Sequence, residues 1–143
     1  MHVFAYGTLV FPDVWRAVVG RSFATVAGSV AGFAIYRVRD AVYPGIVATT
    51  DESSVRGVVY LDVDRESVER LDQFEDDFYR RVGVPIVCDD GVLREAGTYV
   101  IPEEYSSLLT DENWSAEEFA ARGDLERFVA RYAGFGRLLS HDD

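Results

Sequence analysis

The chain has no lysine, a single cysteine at Cys88, and two histidines, His2 and His141. One cysteine cannot form an internal disulfide and fits a reducing compartment. No apolar run approaches the roughly 18 residues of a membrane-spanning helix. The first residues carry no basic segment, no long hydrophobic stretch and no small-residue cleavage site, so no secretion signal is read and the cytoplasm is the expected location. With lysine absent, 14 arginines face 25 acidic residues, for a formal charge of -11. Nucleic acid and anionic lipid both need a basic patch that displaces counterions, so neither is an expected partner. A lysine-free acidic composition fits a salt-rich cytoplasm, where self-repulsion is screened, and equally a GC-rich genome.

What the chain does have is material for a core. Its 143 residues are 48% hydrophobic and include 9 Phe, 8 Tyr and 2 Trp. That is the size of one compact domain, expected to span 1–143. Nothing in the pattern sets an oligomeric state.

Val3 to Tyr6 is short, apolar and β-prone and stops at Gly7, which reads as a first strand entering a turn. Asp13 is placed to cap a short helix carrying Val14, Trp15, Val18 and Val19 that stops at Gly20. Val26 to Tyr36 reads as one long strand bent at Gly28 and Gly32. Tyr43-Pro44-Gly45 reads as a turn before a short strand, Ile46 to Ala48. Arg56 to Val63 alternates as a strand; Asp64 then caps a helix running to about Asp76. Arg81 to Cys88 and Ala96 to Ile101 form a hairpin across Asp89-Asp90-Gly91. Ser115 and Glu118 have capping-box spacing, and Asp124 starts a last helix that buries Leu125, Phe128, Val129 and Tyr132 before Gly134. The order predicts an α+β domain with a curved, largely antiparallel, barrel-like sheet, helped to close by bends at Gly28, Gly32 and Gly57.

The helix after Asp64 carries the first chemical signal. At about 100° per residue from Val68, Leu71 falls at about 300°, Phe74 at about 240° and Phe78 at about 280°, and Glu75 at about 340° lies inside this apolar stripe. Gln73, Asp76 and Asp77 point away, and Asp72 sits at the border as an ordinary solvated charge. A carboxylate facing the core is costly unless hydrogen-bonded or protonated, and partial desolvation moves it toward proton exchange at neutral pH. Glu75 is therefore the candidate general acid/base. The competing reading puts its head in water or on Arg80 or Arg81 at the helix end. The second signal is the turn Tyr6-Gly7-Thr8-Leu9, whose successive N–H groups can hold a carboxylate or a developing oxyanion.

Five segments in order carry a resemblance: Phe4-Ala5-Tyr6-Gly7-Thr8-Leu9, Tyr43-Pro44-Gly45-Ile46, Val55-Arg56-Gly57-Val58-Val59-Tyr60, Leu71-Asp72-Gln73-Phe74-Glu75 and Tyr79-Arg80-Arg81-Val82-Gly83-Val84. Together they resemble the gamma-glutamylcyclotransferase-like superfamily, in particular its gamma-glutamylamine cyclotransferase and avirulence-induced-gene-like branch. Ala96-Gly97-Thr98-Tyr99-Val100 resembles its closing strand, and Trp114, Glu117-Glu118-Phe119 and Phe128-Val129 are similar to its plant-type members. The resemblance implies a small mixed β-barrel flanked by helices. It also implies substrate binding by Tyr6, Gly7, Thr8 and Leu9 and acid/base catalysis by Glu75. Tyr79 and Tyr99 are candidates to line the pocket.

The reaction implied is attack of a gamma-glutamyl α-amine on its own γ-carbonyl, giving 5-oxoproline and a free amine, with no metal or organic cofactor. Asp76 and Asp77 stand where relatives often carry a glycine or a short polar insertion. The added negative charge favours a basic or neutral gamma-glutamyl amide over a polyanion. Three other readings stand beside this one. A cysteine hydrolase would use Cys88 with His2 or His141, although Cys88 also reads as a small apolar residue at a strand end. A hard-cation site would draw on Asp72, Glu75 and Asp76. A non-catalytic binding module would retain the fold and pocket.

Overall fold

The structure of the chain, a computed structural model, describes residues 1–75 and 77–132, without the side chains of 124 and 130–132. Asp76, Gly134 and His141, and the burial expected of Tyr132, lie outside what is described.

Strand β1 (His2–Ala5) has no polar face, because it is buried on both sides. Val3 and Ala5 point into a helix-covered cluster, while Phe4 and the following Tyr6 point into a second cluster with Val30, Ile46, Val59, Val84 and Ile86. β1 pairs antiparallel with β5 (Ser54–Tyr60), which pairs antiparallel with β2 (Thr25–Ala31). β2 meets β6 (Arg80–Cys88) briefly, at Gly28↔Cys88 and Ser29↔Val87. β6 and β7 (Leu93–Val100) form the expected hairpin, with Gly91 at φ 84° in its turn. A parallel pairing of β1 with β7, at His2↔Ala96 and Val3↔Gly97, closes the barrel in the order β1-β5-β2-β6-β7. The sheet is thus largely antiparallel and barrel-shaped, as the pattern predicts.

The strand expected from Val26 to Tyr36 is instead divided. Gly32 sits at φ 82°, a left-handed conformation that side chains resist, and it turns the chain out of the barrel. Beyond it β3 (Phe33–Arg37) pairs with β4 (Pro44–Ala48) as a separate two-stranded sheet. Tyr43-Pro44-Gly45 is accordingly not the turn: Pro44 opens β4 opposite Arg37, a strand's first position where a missing N–H is tolerated. The reversal comes earlier, where Ala41 N–H donates to the Val38 carbonyl and Asp40 adopts φ 58°.

Helix α1 (Pro12–Val19) buries the four residues expected of it, but its cap is Phe11. Pro12 takes the first helical position, where no N–H is needed, and Asp13 lies in the first turn, where a negative charge suits the helix dipole. Trp15 stacks on Tyr60 at 3.6 Å between ring centroids. Helix α2 (Arg65–Phe74) is capped by Asp64, which accepts from the Ser67 N–H, and buries Ser67, Val68 and Leu71. Arg70 Nη1 ties it to the Val19 carbonyl at 2.7 Å. In α3 (Ala116–Ala121) the Ser115 hydroxyl accepts from the Glu118 N–H, and α4 (Asp124–Tyr132) brings Phe128 against Phe119 and Phe74. Trp15, Leu71, Phe119 and Phe128 thus share one helix-side core, each burial contributing about 1.5–3 kcal/mol. No described helix is long and apolar enough to cross a membrane.

At Gly57 the barrel leaves no room for a side chain: an added Cβ would run into the Ala5 carbonyl oxygen and the Phe4 ring. Gly57→Ala is expected to cost about 1–3 kcal/mol through forced separation of β1 and β5. The test is a urea titration: the midpoint should fall with its slope unchanged, and an unmoved midpoint would mean the strands part without cost.

Candidate active site

β1 ends at Ala5, and the chain immediately makes a tight 3-10 turn, Thr8–Val10, in which the Val10 N–H bonds to the Gly7 carbonyl at 3.1 Å. By position, the N–H groups of Thr8 and Leu9 precede that first bonded donor, so the turn itself does not use them. The turn is braced from behind by the Tyr60 hydroxyl, which donates to the Leu9 carbonyl at 2.7 Å. It is pressed from the front by Pro44, whose ring atoms lie 2.9 and 3.0 Å from where a Cβ on Gly7 would stand. Smallness at Gly7 therefore admits the proline ring as well as any ligand.

The turn forms one wall of a pocket of about 620 Å³, counting its open mouth. Tyr6, Gly7, Thr8, Leu9, Glu75, Tyr79 and Tyr99, the seven residues of the cyclotransferase-type reading, line it. Tyr43, Pro44, Phe74 and Phe128 line it as well and were not singled out as site residues. Tyr43 and Pro44 lay in a segment read as a turn, and Phe74 and Phe128 read as core; their meeting at one pocket is a tertiary fact without a local signature.

Glu75 reaches the pocket by a different route from the helical stripe. α2 ends at Phe74, and Glu75 is its C-cap, with an extended backbone at φ -71° and ψ 144° and its N–H on the Leu71 carbonyl at 3.0 Å. The exit of the chain, and not the 3.6-residue period, turns this half-buried carboxylate toward the pocket. Phe78, placed on the same stripe by the wheel, lies beyond the helix and packs on Tyr79 at 4.8 Å. Of the arginines in the competing reading, Arg80 pairs with Glu104 at 3.0 Å and Arg81 with Asp72 at 2.9 Å.

Three of the lining phenols spend their hydroxyl protons on the protein. Tyr6 donates to the Tyr99 carbonyl at 2.6 Å, Tyr79 to the Pro44 carbonyl at 2.6 Å, and Tyr99 to Asp72 Oδ1 at 2.6 Å. Burial first, and then the charge of Glu75, push the Tyr6 phenol well above its ordinary value, with the Ile46 backbone opposing. Tyr99 is raised by burial, then by its bond to Asp72 and the charges of Asp72 and Glu75, against Arg81. The Glu75 carboxylate is thus within electrostatic reach of both rings.

Asp72 departs from the expectation of an ordinary solvated charge, because it accepts from both Tyr99 and Arg81. Beside the pocket mouth, Asp72, Glu75 and Asp77 share a recess with Arg80 and Arg81, so the local field is mixed in sign. Cys88 is buried at the end of β6, while His2 Nδ1 accepts the Asp62 N–H at 3.1 Å; the described residues bring no histidine to the cysteine. Among the described residues no three His, Cys, Asp or Glu side chains are grouped to hold a metal ion.

A closed five-stranded barrel with flanking helices is the gamma-glutamylcyclotransferase-like fold. The chain belongs to the family described as gamma-glutamyl cyclotransferase, AIG2-like, whose pattern matches residues 3–116. It is 35% identical to AIG2-like protein A of Arabidopsis thaliana over 119 residues, 82% of this chain and 71% of that protein. The solution structure of an Arabidopsis thaliana protein superposes with a TM-score of 0.70 at 28% identity, covering 99% of this chain and 82% of the other. A yeast gamma-glutamyl cyclotransferase specific to glutathione shares the fold, with a TM-score of 0.59 at 14% identity over 91% of this chain and 86% of that one.

The buried phenols give a pH signature. Tyr6, Tyr99 and Tyr60, the last raised by burial, all favour the neutral form in the folded chain. Above pH 10, the ordinary tyrosine value being about 10, the folded state therefore holds protons that the unfolded chain releases. Their contribution to stability is complete below about pH 10 and is lost as pH rises through the raised values. In an alkaline titration followed by tyrosinate absorbance, these three of the eight tyrosines should ionise only together with unfolding; eight ionising near pH 10 in the folded protein would contradict this.

Proposed function

We propose that the chain is a gamma-glutamyl cyclotransferase-type enzyme that converts a gamma-glutamyl amine or amide into 5-oxoproline and a free amine, with Glu75 as acid/base. The observation that carries the reading is the meeting of Glu75 and the Tyr6–Leu9 turn across one pocket whose phenol donors are largely engaged by protein acceptors. Polar recognition then falls to the turn's backbone, and proton movement to Glu75, the one carboxylate among the described residues that line that pocket.

The substrate's α-nitrogen attacks its own γ-carbonyl carbon, and the new C–N bond closes a five-membered ring. Glu75 takes a proton from that nitrogen and delivers one to the departing nitrogen as the original amide bond breaks. Attack within one molecule is already unimolecular, so the pocket's task is to hold the folded-back conformer and move protons. N–H groups of the Gly7 to Leu9 turn anchor the substrate carboxylate or the tetrahedral oxyanion, each well-aimed donor contributing about 3–4 kcal/mol. The apolar wall of Phe74, Phe128 and Leu9 excludes water from the ring-closing end.

Glu75→Gln keeps the size and removes the proton acceptor. It is expected to lower 5-oxoproline release by roughly 10² or more on a panel of gamma-glutamyl amines, amides and dipeptides, with a melting temperature within about 3 °C of the parent. Full turnover in that variant rules out the assignment. A parent chain that binds panel members or 5-oxoproline without turning any over would instead be a binding module on this fold.

A further inference from the structure

Asp72 stands three residues ahead of Glu75, in the last turn of α2. The β6–β7 register sets Arg81 directly opposite Tyr99, so both side chains lie on one side of the hairpin. Asp72 Oδ1 receives the Tyr99 hydroxyl at 2.6 Å and Arg81 Nε at 2.9 Å, and its Oδ2 receives Arg81 Nη2 at 3.2 Å. Both carboxylate oxygens are therefore committed to the barrel. α2 is tied at its middle to α1 by Arg70, and at its end to β6 and β7 by Asp72. Directly after that second tie the chain leaves the helix and presents Glu75, and Tyr99 forms a wall common to the pocket and to the recess at its mouth.

The geometry points to Asp72 as a positioning residue, a tether that fixes the end of α2 against the hairpin and so sets Glu75 relative to Tyr99 and the turn. It rests on reading Glu75 as the acid/base. The tether is not a large contributor to global stability: the Asp72 and Arg81 side chains are 39% and 37% exposed, and ion pairs at that exposure stabilise little. What it restricts is local. A displacement of about 1 Å in a reacting group can lower a rate about a hundredfold, so kcat is the sensitive observable and the melting temperature is not.

Asp72→Ala removes the tether, Asp72→Asn retains an oxygen for the Tyr99 hydroxyl and Arg81 Nε, and Tyr99→Phe removes the phenol end. On a panel substrate that the parent turns over, Asp72→Ala should lower kcat by about tenfold or more with KM within about threefold. Asp72→Asn should keep at least about a third of the parent kcat, and Asp72→Ala combined with Tyr99→Phe should be no more than about twofold slower than Asp72→Ala alone, since both cut one link. In parallel, amide hydrogen exchange of residues 71–75 should speed up in Asp72→Ala with the rest of α2 unchanged. Parent-like kcat in Asp72→Ala, no rescue by Asn, or additive losses would overturn the proposal. If the parent turns over no substrate, the functional reading falls, and exchange alone decides the tether: unchanged rates at 71–75 in Asp72→Ala dispose of it.

Discussion

β1 is gripped from both edges and both faces. β5 pairs with it antiparallel and β7 pairs with it parallel, while Phe4 fills the barrel and Val3 and Ala5 meet the helices. The Thr98 hydroxyl adds a bond of 2.9 Å to the Phe4 carbonyl. A strand held in this way has no freedom to slide, since a shift of one residue would exchange its inward and outward side chains. The Tyr6–Leu9 turn is the direct continuation of that strand, and Tyr6 is itself the next inward residue, bonded through its hydroxyl to the Tyr99 carbonyl on β7. The pocket's backbone wall thus inherits its position from barrel closure, and the carboxylate opposite it is delivered by a helix that closure also supports.

Local signals in the sequence translated well into structure. Asp64 and Ser115 cap the helices they were expected to cap, and Asp89-Asp90-Gly91 reverses a hairpin. These depend on a few adjacent residues and on backbone conformations that only certain side chains favour. The division at Gly32 was not legible because a glycine within an apolar stretch is compatible with a bend inside one sheet or an exit from it, and only pairing partners decide between them. Pro44 misled for a related reason, since proline is at home both in a turn and at the first residue of a strand.

The site was legible in outline and not in cause. Helical phase points to Glu75, yet Glu75 lines the pocket as a C-cap beyond the last helical residue, so phase leads to a pocket-lining carboxylate for a reason that stops one residue short of it. Helical phase says nothing of the Asp72 contacts, because a border position on a wheel carries no information about a hairpin that folds back on it. Pairing of Arg81 with Tyr99 across β6 and β7, which gives Asp72 its partners, is a product of register alone. The absence of lysine also has a structural counterpart: Arg56 with Asp89, Arg94 with Asp90 and Arg81 with Asp72 are two-pronged contacts that a single ammonium cannot reproduce.

The Pro44 ring against Gly7 couples what two positions can hold. Any side chain at 7 meets the ring, and the carbonyl of 44 is also the acceptor of the Tyr79 hydroxyl, so the backbone of 44 is not free to withdraw. A larger residue 7 therefore needs a smaller residue 44 or a shift of its ring, whereas residue 44 can shrink by itself at the expense of an opened pocket wall. The turn that forms one wall of the pocket thus has its glycine held small by a neighbour at position 44, far along the chain, whatever molecule the pocket accepts.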